Sequence, residues 1–507
     1  MNINVLEWLE GTVKEFPTKS VFMDENSEIT FEEVLKNAKA IGSRLIEDGV
    51  KKEPVAVISG RNIMTPVAYL GVVYSGCSYA PIDAKLPVAR IKKILGTLRP
   101  NVMLVEKAEV DFVKTELGFE GKIICIEDAA MHGIDEDKLS IVRKNAVETD
   151  PLYIIFTSGS TGNPKGVMTS HHSLMCYIES YAKVMGINSE DRLGNQSPLD
   201  YIAAIRDIYL PLRFGCSTVI IPKEYFMEPN NLFGIINRFN ITAVGWSVSA
   251  LTVMVSLGGF EDIKPESLKK ICFSGSVMPC KCLRVWQENL PEAKFVNQYG
   301  PTEATASCTY YEVTEKVNDD DVLPIGIPYD NYKIILLNRD GTETKVGEEG
   351  EICISGPILA LGYYNDIERT KNSFIQNPLN SSYDERIYKT GDIGLLREDG
   401  ILEFHGRMDR QIKHMGHRVE LDEIEYAANS LTQVDESLAL YNKERETLFL
   451  FYTGSIESKE LLLELKKELP GFMVPRKVTK LEEMPKLANG KIDMAALREK
   501  TEKRRKK

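Results

Sequence analysis

Histidine is scarce in this sequence, and long apolar runs are absent from it. Only six of the 507 residues are histidine, and they form neither an HExxH motif nor another metal-site signature. No uninterrupted apolar stretch approaches the ~20 residues that a helix needs to cross a bilayer. Residues 1–7 have neither the basic region nor the apolar core of a signal peptide. The sequence therefore predicts a protein without a membrane span or a secretory leader.

An excess of positive charge is also lacking. The net charge is -12 and the isoelectric point is about 5.3, which argues against a broad nucleic-acid-binding surface. The one basic run, residues 503–507, is interpreted as a solvated terminus. We therefore expect neither a nucleic acid nor a membrane as a partner.

The cysteine pattern does not indicate a disulfide framework. The nine cysteines are an odd number scattered over the chain. Cys280 and Cys282 form a C-x-C pair, but no second pair lies at zinc-ligand spacing. We therefore expect free thiols in a reducing compartment and a cytoplasmic location.

Short apolar runs alternate with helical patterns through most of the chain. Pro54–Ser59 predicts a strand and residues 62–75 predict a helix, an alternation that favours crossover units on a largely parallel sheet. Residues 323–337 and the glycine-marked turns after them favour a β-rich subdomain, and the chain then becomes more charged. We predict an α/β fold with a large N-terminal domain of parallel-rich sheets and flanking helices, residues 1–408. A small α+β C-terminal domain, residues 409–507, would follow it.

The most informative segment is residues 153–167. An apolar strand runs into a loop of glycine and small hydroxyl residues that Lys165 closes. Glycine lets the backbone approach an anion, hydroxyl and N–H groups donate to phosphate oxygens, and lysine adds positive charge. The loop is not a GxxxxGK[ST] P-loop, because Pro164 precedes Lys165 and no Ser or Thr follows it. A flexible surface loop is the alternative, but the strand-to-loop content favours phosphate binding.

This loop resembles the phosphate loop of the adenylate-forming superfamily. That family includes acyl-CoA synthetases, luciferases and the adenylation domains of nonribosomal peptide synthetases. Similar motifs occur in the family's order along nearly the whole chain: residues 76–83, 153–167, 297–303, 350–351 with 362–364, 388–392, 406–413 and 489–491. The run Asp207-Ile208-Tyr209 and the chain length favour amino-acid adenylation domains and stand-alone D-alanine–carrier protein ligases over long-chain acyl-CoA synthetases.

The resemblance implies a definite first reaction. A substrate carboxylate attacks the α-phosphorus of ATP to give an acyl-adenylate and pyrophosphate, so catalysis consists chiefly of positioning and charge neutralisation. Three catalytic residues are implied: Glu303 as the Mg²⁺ ligand, Thr302 as a phosphate donor, and Lys491 between the carboxylate and the α-phosphate.

The resemblance also implies an ATP-binding set. Tyr299 would stack on adenine, and Asp392 would accept the ribose hydroxyls beside Arg407. Taken singly, Asp392 would be interpreted as a surface turn and Tyr299 as a core aromatic, but their motifs favour the functional roles. The full set is Thr157, Ser158, Gly159, Ser160, Thr161, Gly162, Lys165, Asn297, Gln298, Tyr299, Gly300, Pro301, Thr302, Asp392, Arg407 and Lys491.

A second half-reaction follows from the same resemblance. The small domain, which carries Lys491, would rotate about Asp409, and a phosphopantetheine thiol would then attack the adenylate and release AMP. Gly416 falls where the family brings the backbone close to the pantetheine arm. Residues 413–416 read K-H-M-G rather than the commoner K-I-R-G, which leaves the pantetheine contacts open.

The acyl pocket is implied by the same alignment, but substrate identity stays open. Amino-acid enzymes carry an aspartate where Ile202 lies, and a buried ammonium without a carboxylate costs several kcal/mol. Ile202 therefore favours an aryl acid or a β-amino acid, whereas the overall similarity favours an α-amino acid. Asp200 would replace that aspartate only if the backbone shifts. Arg206 is either a pocket residue or a helix arginine that reaches solvent. The implied pocket set is Tyr201, Ile202, Ala203, Arg206, Gly245, Cys272, Ser274, Gly275, Gln298, Ala306 and Ser307.

The sequence thus predicts an ATP-dependent ligase that requires Mg²⁺. It would load a small carboxylic acid onto the phosphopantetheine of a free-standing acyl or peptidyl carrier protein. An acyl-CoA synthetase that uses free coenzyme A is the first alternative. A non-catalytic nucleotide-binding relic is the second, and the presence of Lys491, Glu303 and Asp392 argues against it.

Overall fold

The computed structural model describes residues 3–159, 162–486 and 492–502. Ser160, Thr161 and Lys491, which the sequence predicts to bind ATP, lie outside the described residues. The chain forms two compact units. The first comprises Met1–Ala84, Leu98–Ile155 and Gly166–Met408, and the second comprises Lys85–Thr97, Phe156–Lys165 and Asp409–Lys507.

A nine-stranded sheet carries much of the first unit. Its strands, in order across the sheet, are Ile327–Pro328, Thr309–Glu312, Lys294–Tyr299, Lys270–Ser274, Ala243–Ser247, Arg192–Asn195, Ser217–Ile220, Ser20–Met23 and Glu28–Thr30. The six strands from Lys294–Tyr299 to Ser20–Met23 run parallel, and antiparallel strands flank them on both sides. Parallel strands are usually covered on both faces, which accounts for their near-continuous apolar sequences.

A seven-stranded sheet has the same parallel character at its centre. Its strands, in order, are Gly362–Tyr363, Lys165–Ser170, Pro151–Thr157, Ser78–Asp83, Pro54–Ser59, Val102–Val105 and Lys122–Cys125. Pro54–Ser59 has the bounds that its apolar run predicts, and all but its first residue are buried. The crossover organisation predicted from the alternating pattern is therefore present.

A five-stranded antiparallel sheet forms the predicted β-rich subdomain. Its strands are Lys333–Leu337, Glu349–Ser355, Arg386–Leu396, Phe374–Gln376 and Leu402–Arg407. Its pairings are antiparallel, as expected for a segment rich in turns.

The longer helices of the first unit bury apolar side chains in the core. Phe31–Glu47 begins with a capping box in which Thr30 and Glu33 satisfy each other's backbone N–H groups. Met64–Tyr74 is apolar on all sides and buried at every position after Met64, as a core helix should be. The α-helices are Val5–Glu15, Phe31–Glu47, Met64–Tyr74, Val110–Phe112, Ile126–Ala130, Glu136–Lys144, His171–Met185, Ile205–Phe214, Pro229–Arg238, Val248–Ser256, Cys280–Asn289 and Ile367–Ser373.

The second unit is α+β. Val434–Asn442, Thr447–Gly454 and Lys477–Lys480 form a three-stranded sheet, and Gln411–His414 pairs with His417–Glu420 in a hairpin. Both loop residues of that hairpin, Met415 and Gly416, have positive φ (52° and 80°), as a two-residue hairpin turn requires. The α-helices are Val88–Leu98, Leu421–Asn429, Ser458–Glu468 and Met494–Glu502.

The predicted α/β class, with parallel-rich sheets, flanking helices and a β-rich subdomain, is confirmed. No helix in the described part of the chain combines the length and apolar character that a bilayer span requires. All nine cysteines lie within the described residues and are free thiols.

Candidate active site

The predicted nucleotide motif lies where a buried parallel strand ends and the chain turns sharply. Lys294–Tyr299 is followed by Gly300, where a Cβ atom would lie 2.4 Å from the Ser307 Cα. A single 3₁₀ turn, Thr302–Ala304, comes next, and the two residues after it adopt left-handed backbone. The turn holds Thr302 and Glu303 at the carboxyl end of the strand, where ligands bind in open α/β sheets.

Glu303 is a fully buried carboxylate. Its Oε1 accepts a 2.7 Å hydrogen bond from the Tyr363 hydroxyl, and its backbone carbonyl accepts one of 2.9 Å from the Ala360 N–H. Within the described ranges, no group of three or more His, Cys, Asp or Glu side chains could hold a metal ion. Mg²⁺ is usually held by one or two carboxylates together with substrate phosphates, so a lone buried carboxylate fits this ion.

Tyr299, Asp392 and Arg407, all predicted to bind the nucleoside, lie together. Asp392 and Arg407 are register partners on antiparallel strands, and the Arg407 guanidinium pairs with Asp392 Oδ1. The Tyr299 hydroxyl donates a 2.5 Å hydrogen bond to Asp392 Oδ2. Burial and the neighbouring carboxylate raise the pKa of the Tyr299 hydroxyl, so it remains a donor. Each carboxylate oxygen keeps a further lone pair for a ribose hydroxyl.

Asp392 does not lie in a surface turn. It belongs to the strand Arg386–Leu396 and is 6% exposed. Its backbone N–H donates a 3.0 Å hydrogen bond to Thr390 Oγ1. Tyr299 is itself buried, so its interpretation as a core aromatic and its predicted role at adenine both agree with its place.

The predicted phosphate loop belongs to the second unit, and Thr157, at the start of the loop, carries an unpaired hydroxyl. Thr157 ends the strand Pro151–Thr157, and its buried Oγ1 has no hydrogen-bond partner among the described residues. Lys165 begins the next strand and is 9% exposed. An unpaired hydroxyl and a buried lysine at the two ends of a glycine-rich loop fit a phosphate group.

The next two loop donors already have partners. Ser158 Oγ donates to the Arg418 carbonyl at 2.8 Å, and the Gly159 N–H donates to Glu423 Oε2 at 3.2 Å. Glu423 is also paired with the buried Arg90 guanidinium. Both donors would have to exchange these partners before they could bind phosphate.

The predicted hinge residue, Asp409, begins the last segment of the second unit. Its Oδ1 accepts a 3.1 Å hydrogen bond from the Gln411 N–H. Arg410 beside it bonds Glu425 Oε1 at 2.6 Å and the Ala439 carbonyl at 2.8 Å, so the chain is anchored immediately after Asp409.

Four predicted pocket residues share one face of the nine-stranded sheet. Gly245 lies opposite Cys272, and Ser274 lies opposite Gln298, on neighbouring parallel strands. Residues two apart on a strand point to the same face, so these two pairs lie side by side. Ser307 joins them, because its Oγ lies 3.1 Å from Gln298 Oε1.

Arg206, on the helix Ile205–Phe214, lies over this face and is 2% exposed. Its Nη2 donates to the Gly245 carbonyl at 2.9 Å, and its Nη1 lies 3.4 Å from Gln298 Oε1. A Cβ on Gly245 would lie 2.9 Å from the Arg206 Cζ, so glycine makes room for the guanidinium. The alternative in which Arg206 reaches solvent is therefore wrong.

The segment before that helix places no carboxylate at the aligned position. Tyr201 precedes the 3₁₀ turn Ile202–Ala204, and the Ile202 side chain is 7% exposed within the apolar core. Burial, and next the charge of Asp83, raise the pKa of Asp200 to about 7. The ionisation of Asp200 therefore depends on the nearby Asp83 as well as on burial.

Sequence reasoning missed the helix His171–Met185, which adds two tyrosines to the pocket. The Tyr181 ring centroid lies 5.4 Å from the Arg206 Cζ, and the Tyr177 hydroxyl lies 3.2 Å from the Ser307 Oγ. Their spacing of four residues places both on one helical face, a signal that could have found them as a pair. Tyr363, the partner of Glu303, lies in the motif at residues 362–364, and the sequence alone predicts no contact between the two.

Comparison with known proteins identifies the family. The family model described as AMP-binding enzyme matches residues 9–364, more than half of the chain. The chain belongs to the AMP-binding enzyme family. The predicted resemblance to the adenylate-forming superfamily is confirmed, and the chain is an enzyme of that class.

Curated relatives of this AMP-binding enzyme include two kinds of protein. Tyrocidine synthase 1 of Brevibacillus parabrevis is 28% identical over 505 residues, which are 98% of this chain and 45% of that protein. D-alanine--D-alanyl carrier protein ligase of Bacillus licheniformis is 29% identical over 523 residues, 98% of this chain and 99% of that protein. The chain spans between 8% and 45% of the length of the synthases that it matches first.

A solved structure shows that the fold is shared. The Vibrio cholerae adenylation domain AlmE, in complex with glycyl-adenosine-5'-phosphate, matches with a TM-score of 0.85 and 22% identity. The match covers 99% of this chain and 98% of that chain.

Proposed function

We propose that this AMP-binding enzyme adenylates a small carboxylic acid with ATP and transfers it to the phosphopantetheine thiol of a carrier protein. The observation that carries the proposal is the Tyr299–Asp392–Arg407 cluster in the same unit as the buried Glu303. The motifs of the adenylate-forming superfamily occur along nearly the whole chain. The similarity to a D-alanine--D-alanyl carrier protein ligase likewise covers 98% of this chain and 99% of that ligase.

In the proposed adenylation step the residues of the first unit hold the nucleotide. The Tyr299 ring would stack on adenine, and Asp392, held by Tyr299 and Arg407, would accept the ribose hydroxyls. Glu303 would hold Mg²⁺, which supplies positive charge to the phosphates when it is bound. Thr302 would donate to a phosphate oxygen from the turn after the strand.

The second unit would supply the remaining phosphate contacts. The unpaired Thr157 Oγ1 and Lys165 support a phosphate-binding role for the loop between them. Lys491, which lies outside the described residues, would bring positive charge to the reacting carboxylate and α-phosphate. Such preorganised charge stabilises a transition state more than a ground state.

We further propose that residues 409–507 form a mobile domain that rotates about Asp409. The partners of Ser158 and Gly159 support this, because both donors bond residues of that segment and must be released to bind phosphate. The same movement would present the Met415–Gly416 turn to the pantetheine arm in the transfer step.

The adenylation step is tested by acid-dependent ATP–pyrophosphate exchange. The panel contains α-amino acids, β-amino acids and aryl acids, since Ile202 and the overall similarity favour different members. We expect exchange with one class of acid and the loss of that exchange in Glu303→Gln. Glu312→Gln is the matched control and should retain exchange, because Glu312 is an exposed carboxylate at the end of the strand Thr309–Glu312 and pairs with Lys294. Absence of exchange with every acid would favour the non-catalytic relic and reject the proposal.

The acceptor is tested separately, after an acid has been found. Thioester formation is compared on a holo carrier protein, the same carrier without phosphopantetheine, and free coenzyme A. We expect product only on the holo carrier. Equal or faster transfer to free coenzyme A would make the chain an acyl-CoA synthetase.

A further inference from the structure

Arg206 is a buried cation that forms no ion pair with a carboxylate of the described residues. Its hydrogen bonds go to the neutral Gly245 carbonyl at 2.9 Å and Gln298 Oε1 at 3.4 Å, with the Cys272 Sγ at 3.7 Å. The carboxylate next to it in the chain, Asp207, accepts a 2.7 Å hydrogen bond from Asn195 instead. The Arg206 guanidinium therefore bonds only neutral groups and lies against the Tyr181 ring, while the neighbouring Asp207 acts on it electrostatically without forming an ion pair.

Two donors in this cluster have no acceptor. Within the described part of the chain, the buried Arg206 Nε and Gln298 Nε2 have no hydrogen-bond partner. The orientation of the Gln298 amide is set by its neighbours, because its Oε1 faces both Arg206 Nη1 and the Ser307 Oγ. Buried donors in proteins are nearly always paired, so two neighbouring exceptions in a predicted substrate pocket point to a ligand.

Arg206 keeps its charge at this position. Burial by itself disfavours the guanidinium ion, but the surrounding groups, first Tyr177 and Cys272 and then Tyr181 and Asp207, raise the pKa of Arg206 above its ordinary value. A ligand at this site would therefore meet the positive charge of Arg206 together with two unpaired donors, the Arg206 Nε–H and the Gln298 amide N–H.

We propose that the acid activated by this enzyme carries a second carboxylate, which binds Arg206 Nε and Gln298 Nε2. A carboxylate has two oxygens with about four lone-pair sites for hydrogen bonds, and its negative charge also neutralises a guanidinium. A neutral acceptor can accept the hydrogen bonds but leaves the positive charge uncompensated. The inference rests on the proposed function, since it assigns the remote end of the acid to this pocket. It is independent of Ile202, because the second carboxylate can belong to an acid with or without an α-amino group.

The first test compares matched acids with the full-length wild-type chain. Pyrophosphate exchange is measured for butanoate against succinate, 2-aminobutanoate against aspartate, and benzoate against benzene-1,4-dicarboxylate, each with the monoamide of the dicarboxylate as a neutral isostere. In the accepted class we expect kcat/KM to be about 10- to 100-fold higher for the dicarboxylate than for either analogue, the range of a hydrogen bond to a charged group. A monocarboxylate or monoamide that works equally well would overturn the inference.

The second test removes the charge. Arg206→Met keeps an unbranched apolar stem, and we expect it to raise KM for the dicarboxylate about 10- to 100-fold and to bring the ratio of kcat/KM for the dicarboxylate and the monocarboxylate close to one. Arg206→Lys should restore part of the preference. Arg213→Met is the matched control, because Arg213 lies at the exposed end of the same helix and pairs with Glu179. An Arg206→Met enzyme with unchanged selectivity would make Arg206 a structural residue only.

A third measurement needs no variant and covers the case in which Arg206→Met fails to fold. Thermal unfolding of the wild type is followed with each acid of the matched pairs, because a ligand that binds only the folded state raises the melting temperature. We expect the dicarboxylates to stabilise the protein and the monocarboxylates to do so less. Equal shifts would reject the inference but leave the proposed function intact, whereas a failure of exchange with every acid would reject the proposed function itself.

Discussion

The Tyr299 hydroxyl donates a 2.5 Å hydrogen bond to Asp392 Oδ2, although 93 residues separate the two in the chain. Tyr299 ends a strand of the nine-stranded sheet, and Asp392 lies in the antiparallel sheet of the β-rich subdomain. This bond joins two motifs that the sequence presents far apart. The bond gives the Asp392 carboxylate a defined orientation.

Tyr299→Phe should weaken ATP binding more than acid binding. The ring is kept for stacking, but Asp392 loses a buried donor, and a hydrogen bond to a charged group is worth about 1.5–3 kcal/mol. We expect KM for ATP in pyrophosphate exchange to rise by about tenfold or more, with KM for the acid nearly unchanged. Tyr383→Phe, at an exposed tyrosine, is the control. A similar rise in both KM values would contradict a role specific to the nucleotide.

Gly300→Ala should destabilise the protein and reduce exchange. The new Cβ would lie 2.4 Å from the Ser307 Cα and 2.8 Å from the Ala306 carbonyl oxygen, and these backbone atoms cannot swing aside. Overpacking of this kind typically costs about 1–3 kcal/mol of folding free energy, measured by denaturant unfolding. Gly234→Ala is the matched control, since its Cβ meets nothing within 4 Å in the helix Pro229–Arg238. That variant should be neutral or slightly more stable.

Lys491→Ala should abolish most of the adenylation rate and leave ATP binding in place. The lysine would act on charge that develops only in the transition state, and loss of such a group typically costs about 10²–10³ in rate. Equilibrium dialysis gives the affinity for ATP, and exchange gives the rate. Lys486→Ala is the control, because that lysine pairs with Glu436 at 3.3 Å and is about half exposed. Near-wild-type exchange in Lys491→Ala would remove the residue from the mechanism.

Asp409→Pro should affect the two half-reactions unequally. Proline fixes φ, whereas a hinge has to absorb a change in backbone dihedral angles. Pyrophosphate exchange reports one half-reaction and thioester formation the other, and we expect one of them to fall far more. Asp409→Ala loses the same bond to the Gln411 N–H but keeps backbone freedom, so it should be mild in both. Equal, mild losses in the proline variant would argue against the hinge.

The free energy of unfolding should fall as the pH rises from 4 to 7, because the folded state keeps a proton on Asp200. Its pKa is raised from 3.8 to about 7, chiefly by burial and then by Asp83, so the folded state holds a proton that the unfolded chain has released. The contribution is complete below about pH 4 and disappears as the pH rises through 7. Asp200→Asn should therefore gain melting temperature relative to the wild type between pH 4 and 7, and the difference should be constant above pH 8. Asp399→Asn, at an exposed position, should show no such trend.

The order of the motifs could be predicted from the sequence because each depends on local chemistry. The strand Pro54–Ser59, the glycine-rich loop after Thr157 and the turn after Tyr299 follow from apolar runs and from glycine at close approaches. The family and the class of reaction follow from the same motifs. Helix ends were less well determined, and the helix predicted over residues 62–75 is Met64–Tyr74 in the structure.

The sequence by itself thus determined the α/β fold, the family and the candidate nucleotide residues, whereas tertiary structure alone decided what surrounds them. The local sequence around a helical arginine does not show whether the side chain is buried or reaches water. Arg206 is buried only because its helix packs over Gly245 and Gln298. Likewise, no local pattern shows that Ser158 and Gly159 bond Arg418 and Glu423, some 260 residues further along. Burial and long-range partners depend on the whole chain, because a side chain's neighbours are chosen by how the elements pack and not by its own sequence context.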